Sequence, residues 1–301
     1  MSLLVVGSTA LDTVHTPSGD SVEGIGGSAN YFALSACHFG PVNLVGIVGE
    51  DFPKTFLGRL QSRKVDTTGL QQVRGQTFRW EGVYDDNLTD AKTVSTCLNV
   101  FEGFHPKLPA SYRNATHLFL ANIDPELQAD VLSQVERPQV VACDTMNYWI
   151  QSKKNKVVEL LPRVDIFLVN ETEAKLLSEE ATPYRAAMKI LEWGPRVVII
   201  KRGPYGALMV SRNAVFSSSA YLLADVKDPT GAGDSFAGGV MGYLYRERCG
   251  VDWGALKKGI LFGASLASFA IEGFSVEHLE SIDFTQVLSR YDFLVKMLAL
   301  S

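Results

Sequence analysis

The sequence has few cysteines and lacks a long apolar run. Its four cysteines lie far apart and form no CxxC pair, which argues against a disulfide framework or a zinc site and is typical of a reducing compartment. No apolar run reaches the roughly 18 residues that a membrane-spanning helix needs. The N-terminus also lacks the basic region of a signal peptide. We therefore expect a cytoplasmic protein with no membrane partner.

Positive charge is also scarce. The chain has 28 lysines and arginines against 33 aspartates and glutamates, a formal net charge of −5, and contains no basic tract. We expect no nucleic-acid partner, because such binding depends on clustered positive charge. The 301 residues are 46% hydrophobic, which fits one large or two modest globular domains with a sizeable core.

Strand-like and helix-like segments alternate along most of the chain. Leu3 to Val6 and Val42 to Val48 are short apolar runs, whereas Phe52 to Lys64 has the apolar spacing of an amphipathic helix. After residue 116 we predict strands at 117–121, 139–143, 165–169, 197–201 and 207–210, and helices at 125–136, 149–161, 183–193, 235–247, 253–271 and 284–300. This order predicts an α/β fold with a mostly parallel sheet.

Residues 71–101 interrupt this alternation. The segment mixes β-branched and aromatic residues with polar ones and has a turn signal at residues 85–87, which predicts a small antiparallel sheet. Such a sheet could form a lid over a cleft, or only an extra hairpin at the sheet edge. Arg74 and Arg79 could bind a sugar phosphate, and Arg79 with Trp80 could instead cover an aromatic base.

A glycine-rich turn precedes the helix predicted at residues 235–247. The turn places Gly231, Ala232 and Gly233 directly before Asp234. Small residues let an anion approach the unpaired N–H groups at the start of a helix, where the helix dipole is also positive. Asp234 beside a bound phosphate could take the proton from an attacking hydroxyl. A simple turn with a helix cap is the other interpretation.

Several small or polar residues outside this turn are candidates for contacting a ligand. Asp12 follows the first predicted strand, where ligands bind in parallel α/β sheets. Gly26 and Gly27 allow a close approach to the backbone, and Asn30 offers both a donor and an acceptor. Gly263, in a later predicted helix, leaves room for a flat base or for close helix packing. A turn aspartate and flexible glycines are the alternatives.

The second half of the chain offers candidates for a metal and a nucleotide. Asn170 and Glu173 follow a predicted strand and could bind water around Mg²⁺, although carboxylates are common at helix starts for dipole reasons alone. Lys201 ends another strand, before a turn with Gly203 and Gly206, and could face a nucleotide phosphate.

Together, these motifs resemble those of the ribokinase-like carbohydrate kinase family, also called the PfkB family. Asp228 to Gly239 is similar to its C-terminal signature, nearly without departure. Gly26 to Asn30 is similar to its N-terminal glycine signature, Asn170 to Glu173 to its magnesium motif, and Lys201 to Gly206 to its nucleotide-side turn. The order and spacing also fit, so the resemblance spans the whole chain.

The resemblance implies a single ribokinase-like domain, a three-layer α/β/α sandwich with a small β-lid from about residues 13–25 and 71–101. It also implies a kinase that uses ATP and Mg²⁺ to phosphorylate a hydroxyl of a sugar or sugar-like molecule. The implied roles are Asp234 as base with Gly231, Ala232 and Gly233 as anion hole; Asp12, Gly26, Gly27 and Asn30 for the acceptor; Asn170, Lys201, Gly203, Gly206, Thr230 and Gly263 for the nucleotide; and Asn170, Glu173 and Asp228 for metal ions.

Three matters stay open at this point. Asp228 and Thr230 resemble positions at which some members of the family bind an activating K⁺, which other members lack. The acceptor is a sugar, a sugar phosphate, a polyol or, as the main alternative, an adenosine-like nucleoside; a non-catalytic binding protein is the remaining alternative. A homodimer through the lid is a further expectation from the resemblance.

Overall fold

A computed structural model describes residues 1–88 and 91–298 of the protein. Its strands are β1 (Leu3–Val6), β2 (Ala10–Thr16), β3 (Gly19–Gly26), β4 (Val42–Val48), β5 (Val65–Gln72), β6 (Phe78–Val83), β7 (Lys92–Cys97), β8 (His117–Leu120), β9 (Val140–Asp144), β10 (Ile166–Asn170), β11 (Val197–Lys201), β12 (Ala207–Val210) and β13 (Val215–Ser218). Its helices are α1 (Ser28–Ala36), α2 (Lys54–Ser62), α3 (Pro125–Gln134), α4 (Asn147–Leu160), α5 (Glu171–Ser178), α6 (Pro183–Glu192), α7 (Ala232–Arg246), α8 (Trp253–Ala270), α9 (Glu277–Ser281) and α10 (Phe284–Leu298). None of these helices is long and apolar enough to cross a lipid bilayer.

The main sheet has nine strands in the order β13-β12-β11-β10-β9-β8-β1-β4-β5. Its strands run parallel from β11 to β5, and β12 and β13 add an antiparallel edge. The central strands are unbroken apolar runs, because helices cover both faces of a parallel sheet. One face packs against α1, α2 and α7 to α10, and the other against α3 to α6. The predicted three-layer α/β/α sandwich is confirmed.

A separate four-stranded sheet has the order β3-β2-β6-β7. Its strands come from two segments of the chain, and β2 pairs antiparallel with β3 but parallel with β6. All six residues of β7 are exposed. The hydroxyl oxygen of Tyr84, just after β6, lies 3.2 Å from Oγ1 of Thr230, just before α7. This sheet therefore lies over the start of α7, and we call it the lid.

The lid differs in extent from the segment predicted for it. Residues 71–72 end β5 and so belong to the main sheet. The strand that begins at Lys92 ends at Cys97, and Asn99–Gly103 forms a 3₁₀ helix instead of more strand. Residues 89–90 of the predicted lid, and the end of the last predicted helix beyond residue 298, lie outside the described residues.

The glycines in the middle of α7 allow close helix packing. A Cβ atom at Gly238 would lie 2.6 Å from the carbonyl oxygen of Phe32 in α1, and one at Gly239 would lie 2.6 Å from the Cα atom of Gly263 in α8. A Cβ atom at Gly263 would in turn lie 2.6 Å from the carbonyl oxygen of Phe236. Helix packing therefore explains the glycine at position 263, and its nucleotide contact stays a prediction.

Candidate active site

The glycine-rich turn leads directly into α7. Gly231 is the N-cap and has φ 75°, a left-handed conformation that glycine adopts without strain. A Cβ atom there would lie 2.3 Å from the ring of Tyr31, so a larger residue would also collide with α1. The turn thus brings Ala232 and Gly233 to the helix start, where the N–H groups have no acceptor within the helix.

Asp234 lies in the first turn of α7. Burial raises the pKa of its carboxyl group to about 7, the charge of Asp144 adds to the rise, and Lys201 partly offsets it. A carboxyl group with a pKa near neutrality is a stronger base than an ordinary aspartate and is still ionised in a large fraction of molecules. Asp234 therefore has the position and the electrostatics of a general base.

Lys201 forms an ion pair with Asp144 beside the same turn. Nζ of Lys201 lies 2.7 Å from Oδ2 of Asp144, and their side chains are 17% and 4% exposed. A Cβ atom at Gly233 would lie 2.8 Å from this Nζ, so the ammonium group lies against the start of α7. Burial acts to lower the pKa of Lys201, but Asp144, Glu173 and Asp234 together raise it, which keeps the group charged. An ammonium group beside a helix N-terminus favours a bound anion.

Gln128 in α3 holds the strand ends on which this ion pair depends. Its buried Nε2 lies 2.9 Å from the carbonyl oxygen of Ala121, 3.0 Å from that of Asp144 and 3.3 Å from that of Leu120. Leu120 ends β8 and Asp144 ends β9, so one amide group joins two neighbouring strands at their carboxyl ends. Without Gln128 these buried carbonyls would lose a donor, which is unfavourable in a dry interior.

The four residues predicted for the acceptor lie together. A Cβ atom at Gly26 would lie 1.8 Å from Oδ2 of Asp12, and one at Gly27 would lie 2.5 Å from the carbonyl oxygen of Ser8. Asn30 donates from Nδ2 to the carbonyl oxygen of Gly26 at 2.7 Å. Oδ1 of Asp12 and Oδ1 of Asn30 are buried and have no hydrogen-bond partner within the described ranges. Such oxygens are suited to hydroxyl donors from a ligand.

Three carboxyl groups surround Tyr31 in this region. Burial raises the pKa of Asp12 to about 7, the N–H of Gly27 acts against the rise, and the charges of Asp228 and Asp234 add to it. Burial also raises the pKa of Asp228. The pKa of Tyr31 is raised by burial and by these same three carboxylates. These three carboxyl groups lie close together in a buried region, which favours binding of a ligand with hydroxyl donors or of a cation.

Asn170 and Glu173 form a capping box at the start of α5. Oδ1 of Asn170 accepts from the N–H of Glu173 at 2.7 Å, and Oε2 of Glu173 accepts from the N–H of Asn170 at 2.7 Å. Asn170 pairs with Lys201 in the register of β10 and β11, so both residues lie beside the ion pair. Within residues 1–88 and 91–298, no three or more His, Cys, Asp or Glu side chains are grouped to hold a metal ion. The predicted metal role of Asn170 and Glu173 stays a prediction.

The turn after β11 contains the two glycines predicted for the nucleotide. Gly203 has φ 52° and Gly206 has φ 80°. A Cβ atom at Gly206 would lie 2.0 Å from the carbonyl oxygen of Ser218, whereas one at Gly203 would meet no atom of the described residues within 4 Å. Gly206 is therefore required by the turn, and Gly203 borders open space at the carboxyl edge of the sheet.

Asp228 and Thr230 precede the glycine-rich turn. Asp228 is 1% exposed, and its Oδ1 accepts from the N–H of Thr230 at 2.9 Å. Oδ2 of Asp228 is buried without a partner in the part of the chain that the structure describes. The side chain of Thr230 contacts Tyr84 of the lid, so this residue connects the lid to the start of α7.

Sequence analysis assigned no role to four residues that the fold brings to the site: Tyr31, Tyr84, Gln128 and Asp144. Asp144 does have a signal, its position at the end of a predicted strand. No local pattern indicates Gln128 or Tyr31, because their partners lie in other elements. Tyr84 ends a predicted strand, but only the lid's position reveals its contact with Thr230.

The parallel sheet, the lid over the start of α7 and the carboxylate at a glycine-rich helix start are the features that the sequence predicted for a small-molecule kinase. The sequence profile of the pfkB family carbohydrate kinases matches residues 2–281. The chain belongs to this family and is a phosphotransferase. The predicted family and the predicted class of enzyme are therefore confirmed.

Similar proteins act on different acceptors. A cytidine kinase from Thermococcus kodakarensis is 30% identical over 252 residues, which cover 82% of this chain and 90% of that protein. An E. coli protein described as a ribokinase II, solved with ATP and Mg²⁺, has 19% identity and a TM-score of 0.79 over 97% of this chain and 99% of that chain. A Burkholderia thailandensis nucleoside kinase solved with inosine has 17% identity and a TM-score of 0.79 over 97% of each chain. The two solved structures share the fold of this protein.

Proposed function

We propose that this protein uses ATP to phosphorylate a hydroxyl group of a sugar or of a sugar-containing small molecule. The observation that carries the proposal is the carboxyl group of Asp234, which has a pKa of about 7 and lies in the first turn of α7 beside Lys201. Membership of the family supports this chemistry, as does similarity to kinases of cytidine and other nucleosides.

In the proposed reaction, the acceptor hydroxyl lies against Asp234 while Asp12 and Asn30 bind neighbouring hydroxyls. Asp234 accepts the proton as the hydroxyl oxygen attacks the γ-phosphorus, the bond to the β,γ-bridging oxygen breaks, and ADP leaves. The N–H groups at the start of α7 and the ammonium group of Lys201 stabilise the charge on the transferred group. Removing one such preorganised donor typically lowers the rate by roughly 10²- to 10³-fold.

The proposed cofactor is ATP with Mg²⁺, as in the similar E. coli protein. Mg²⁺ neutralises phosphate charge when it is bound, and Asn170 and Glu173 would hold it through water, since Mg²⁺ keeps much of its hydration. An activating K⁺ also stays a proposal. The buried and unpaired Oδ2 of Asp228 is the observation that supports a cation there.

The variant Asp234→Asn tests the proposal. It removes the base and preserves the shape of the side chain, so we expect kcat to fall by about 10²- to 10⁴-fold while ATP still binds. ADP release against a panel of sugars, polyols and nucleosides measures kcat, and calorimetry measures ATP binding. The matched control is Asp225→Asn at an exposed aspartate, which should retain full activity. Near-normal turnover of Asp234→Asn would contradict the assignment.

The stability of the same variant separates lost chemistry from lost folding. The pKa of Asp234 rises from 3.8 to about 7 on folding, so ionisation of this group destabilises the fold progressively between about pH 4 and pH 7. Asp234→Asn removes this effect. We expect it to melt a few degrees above the wild type at pH 8, and the difference to shrink towards pH 4. If Asp234→Asn instead melted below the wild type at pH 8, its lost activity would be explained by damage to the fold.

The cytoplasmic location and the homodimer through the lid stay predictions. Among the described strands, β7 is the outermost of the lid and exposes every residue, so its outer edge could pair with a second copy of the chain. Sedimentation of the full chain measures the oligomeric state directly.

A further inference from the structure

The register of the lid places Trp80 beside the acceptor carboxylate. In the parallel pair of β2 and β6, Trp80 lies directly opposite Asp12. Residues directly opposite each other point their side chains to the same face of a sheet, about 5 Å apart. Trp80 therefore shares with Asp12 the face that we call the inner face of the lid, and its side chain is only partly buried.

Arg79 points to the opposite face and is fully engaged there. Its Nε lies 2.8 Å from Oε1 of Glu23, and its Nη2 lies 2.8 Å from Oδ2 of Asp51. Arg79 pairs in register with the residue before Asp12, as the alternation of a strand requires. Two carboxylates already compensate this guanidinium group. Arg79, one of the two arginines considered for a sugar phosphate, is therefore turned away from the face that carries Asp12.

The indole of Trp80 is held in place along the inner face. Its Nε1 donates to Oγ1 of Thr93 at 3.2 Å. A Cβ atom at Gly82 would lie 2.1 Å from the Cη2 atom of the indole, so the outer edge of the ring occupies the space above this glycine. Gly82 has no left-handed backbone conformation that would require glycine. The absence of a side chain at position 82 is thus explained by the position of the ring.

We propose that Trp80, held by Gly82 and Thr93, is a stacking platform for the base of a nucleoside whose ribose hydroxyls bind Asp12. A nucleoside presents a planar ring next to its vicinal hydroxyls, which matches an indole and a carboxylate that share one face of the lid on neighbouring strands. This inference rests on the proposed function and names its acceptor. A free sugar or polyol has no planar group to place on the indole.

The test compares kcat/KM for ribose, cytidine, uridine, adenosine and inosine in the wild type and in lid variants. Trp80→Leu removes the aromatic face, and Gly82→Ala keeps Trp80 but places a methyl group where the ring lies. Stacking of a base on an aromatic side chain accounts for roughly 5- to 150-fold in affinity. We expect both variants to lower kcat/KM for the preferred nucleoside about 10- to 100-fold, mainly through KM, and to change activity on ribose less than about 3-fold.

Matched controls accompany these variants. Trp80→Phe retains an aromatic face and should keep kcat/KM for nucleosides within about 5-fold of the wild type. Gly103→Ala adds a methyl group at a position where a Cβ atom meets nothing within 4 Å, and should leave every acceptor unaffected. Binding of the nucleoside without ATP should quench tryptophan fluorescence in the wild type and in Trp193→Phe but not in Trp80→Phe, which gives a readout that needs no turnover.

Each contrary outcome has a distinct meaning. Equal losses on ribose and nucleosides in Trp80→Leu and Gly82→Ala would show that the indole only supports the lid, and would overturn the platform. A wild type that prefers ribose to every nucleoside would overturn the nucleoside acceptor while the proposed kinase function stands. Failure to phosphorylate any acceptor, sugars and polyols included, would overturn both the function and the inference that rests on it.

Discussion

The main sheet and the lid differ most in how deeply their strands are buried. Every residue of β1, β8 and β9 is buried, and helices cover both faces of their sheet. In the lid, β7 is exposed along its whole length, and β3 is buried only at its end nearest α1. Polar contacts, Arg79 to Asp51 and Tyr84 to Thr230, join the lid to the rest of the molecule, and among its described strands only β2 and β3 contribute residues to the main core, Leu11 and Ile25.

The main sheet and the lid differ in how firmly they hold their side chains. Asp144 and Lys201 project from the ends of buried parallel strands, and Asp234 from a helix packed between two others, so packing holds these groups in place. Trp80 and the contacts around it lie on a thin sheet with an exposed edge. Few buried apolar contacts give a segment low local stability, which a lid needs in order to open. In the proposed reaction, the main sheet thus holds the reacting groups, and the lid contacts the variable part of the acceptor.

After Asp234→Asn, the largest expected effect tests the main sheet, through the ion pair of Asp144 and Lys201. Lys201→Met removes the ammonium group that is proposed to stabilise the transferred phosphoryl group, so we expect kcat to fall about 10²- to 10³-fold. It also removes the charge that lowers the pKa of Asp234, so the acidic limb of the kcat/KM profile should move to higher pH. Asp144→Asn removes the charge that raises this pKa, so the same limb should move to lower pH.

The decisive result is that the acidic limb moves in opposite directions in Lys201→Met and Asp144→Asn. General damage to the fold would not produce opposite displacements. The matched control is Lys189→Met, which breaks an exposed ion pair with Glu192 and should leave the acidic limb where it is in the wild type. If the acidic limb moved in the same direction in Lys201→Met and in Asp144→Asn, the electrostatic role of the pair would be contradicted.

An intermediate effect is expected where the lid meets the main sheet. Arg79→Met removes the ion pairs to Glu23 and Asp51 and should favour an open lid. We expect KM for the acceptor to rise about 3- to 10-fold with little change in kcat, since the reacting groups lie elsewhere. In the wild type, added salt should raise KM in the same direction. Arg74→Met, at an exposed arginine nearby, is the control, and an equal effect from it would remove Arg79 from this role.

The smallest effect is expected within the lid, at His15. Its Nδ1 lies 2.8 Å from Asp20, its Nε2 lies 3.3 Å from Glu81, and these hydrogen bonds raise its pKa above 6.5. A raised pKa of a histidine stabilises the fold fully below the unfolded pKa, and this contribution is lost as pH rises through the folded pKa. His15→Gln should therefore melt slightly below the wild type at pH 6, and the difference should vanish by pH 9. A difference that grows with pH would contradict the ion pairs.

Local patterns in the sequence predicted most strands and helices of the main sheet and its layers, and the glycine-rich turn before α7. Apolar runs such as Leu3–Val6 and Val197–Lys201 became strands with these same bounds, because a parallel strand buried on both faces is apolar throughout. Gly231 and Asp234 were found for a similar reason, since a left-handed N-cap and a carboxylate in a first helical turn are local requirements. The same logic left two interpretations open at Gly263, because a glycine needed for helix packing has no local mark that distinguishes it from one needed by a ligand.

The sequence by itself determined the alternation of strands and helices, the glycine-rich turn before α7 and the carboxylate that follows it, because each depends on neighbours within a few residues. The tertiary structure alone decided that Asp144 meets Lys201 across 57 positions of the chain, and that Asp12 lies opposite Trp80. These pairings depend on which strands become neighbours and in what register. That is set by packing over the whole core, which no single stretch of sequence contains.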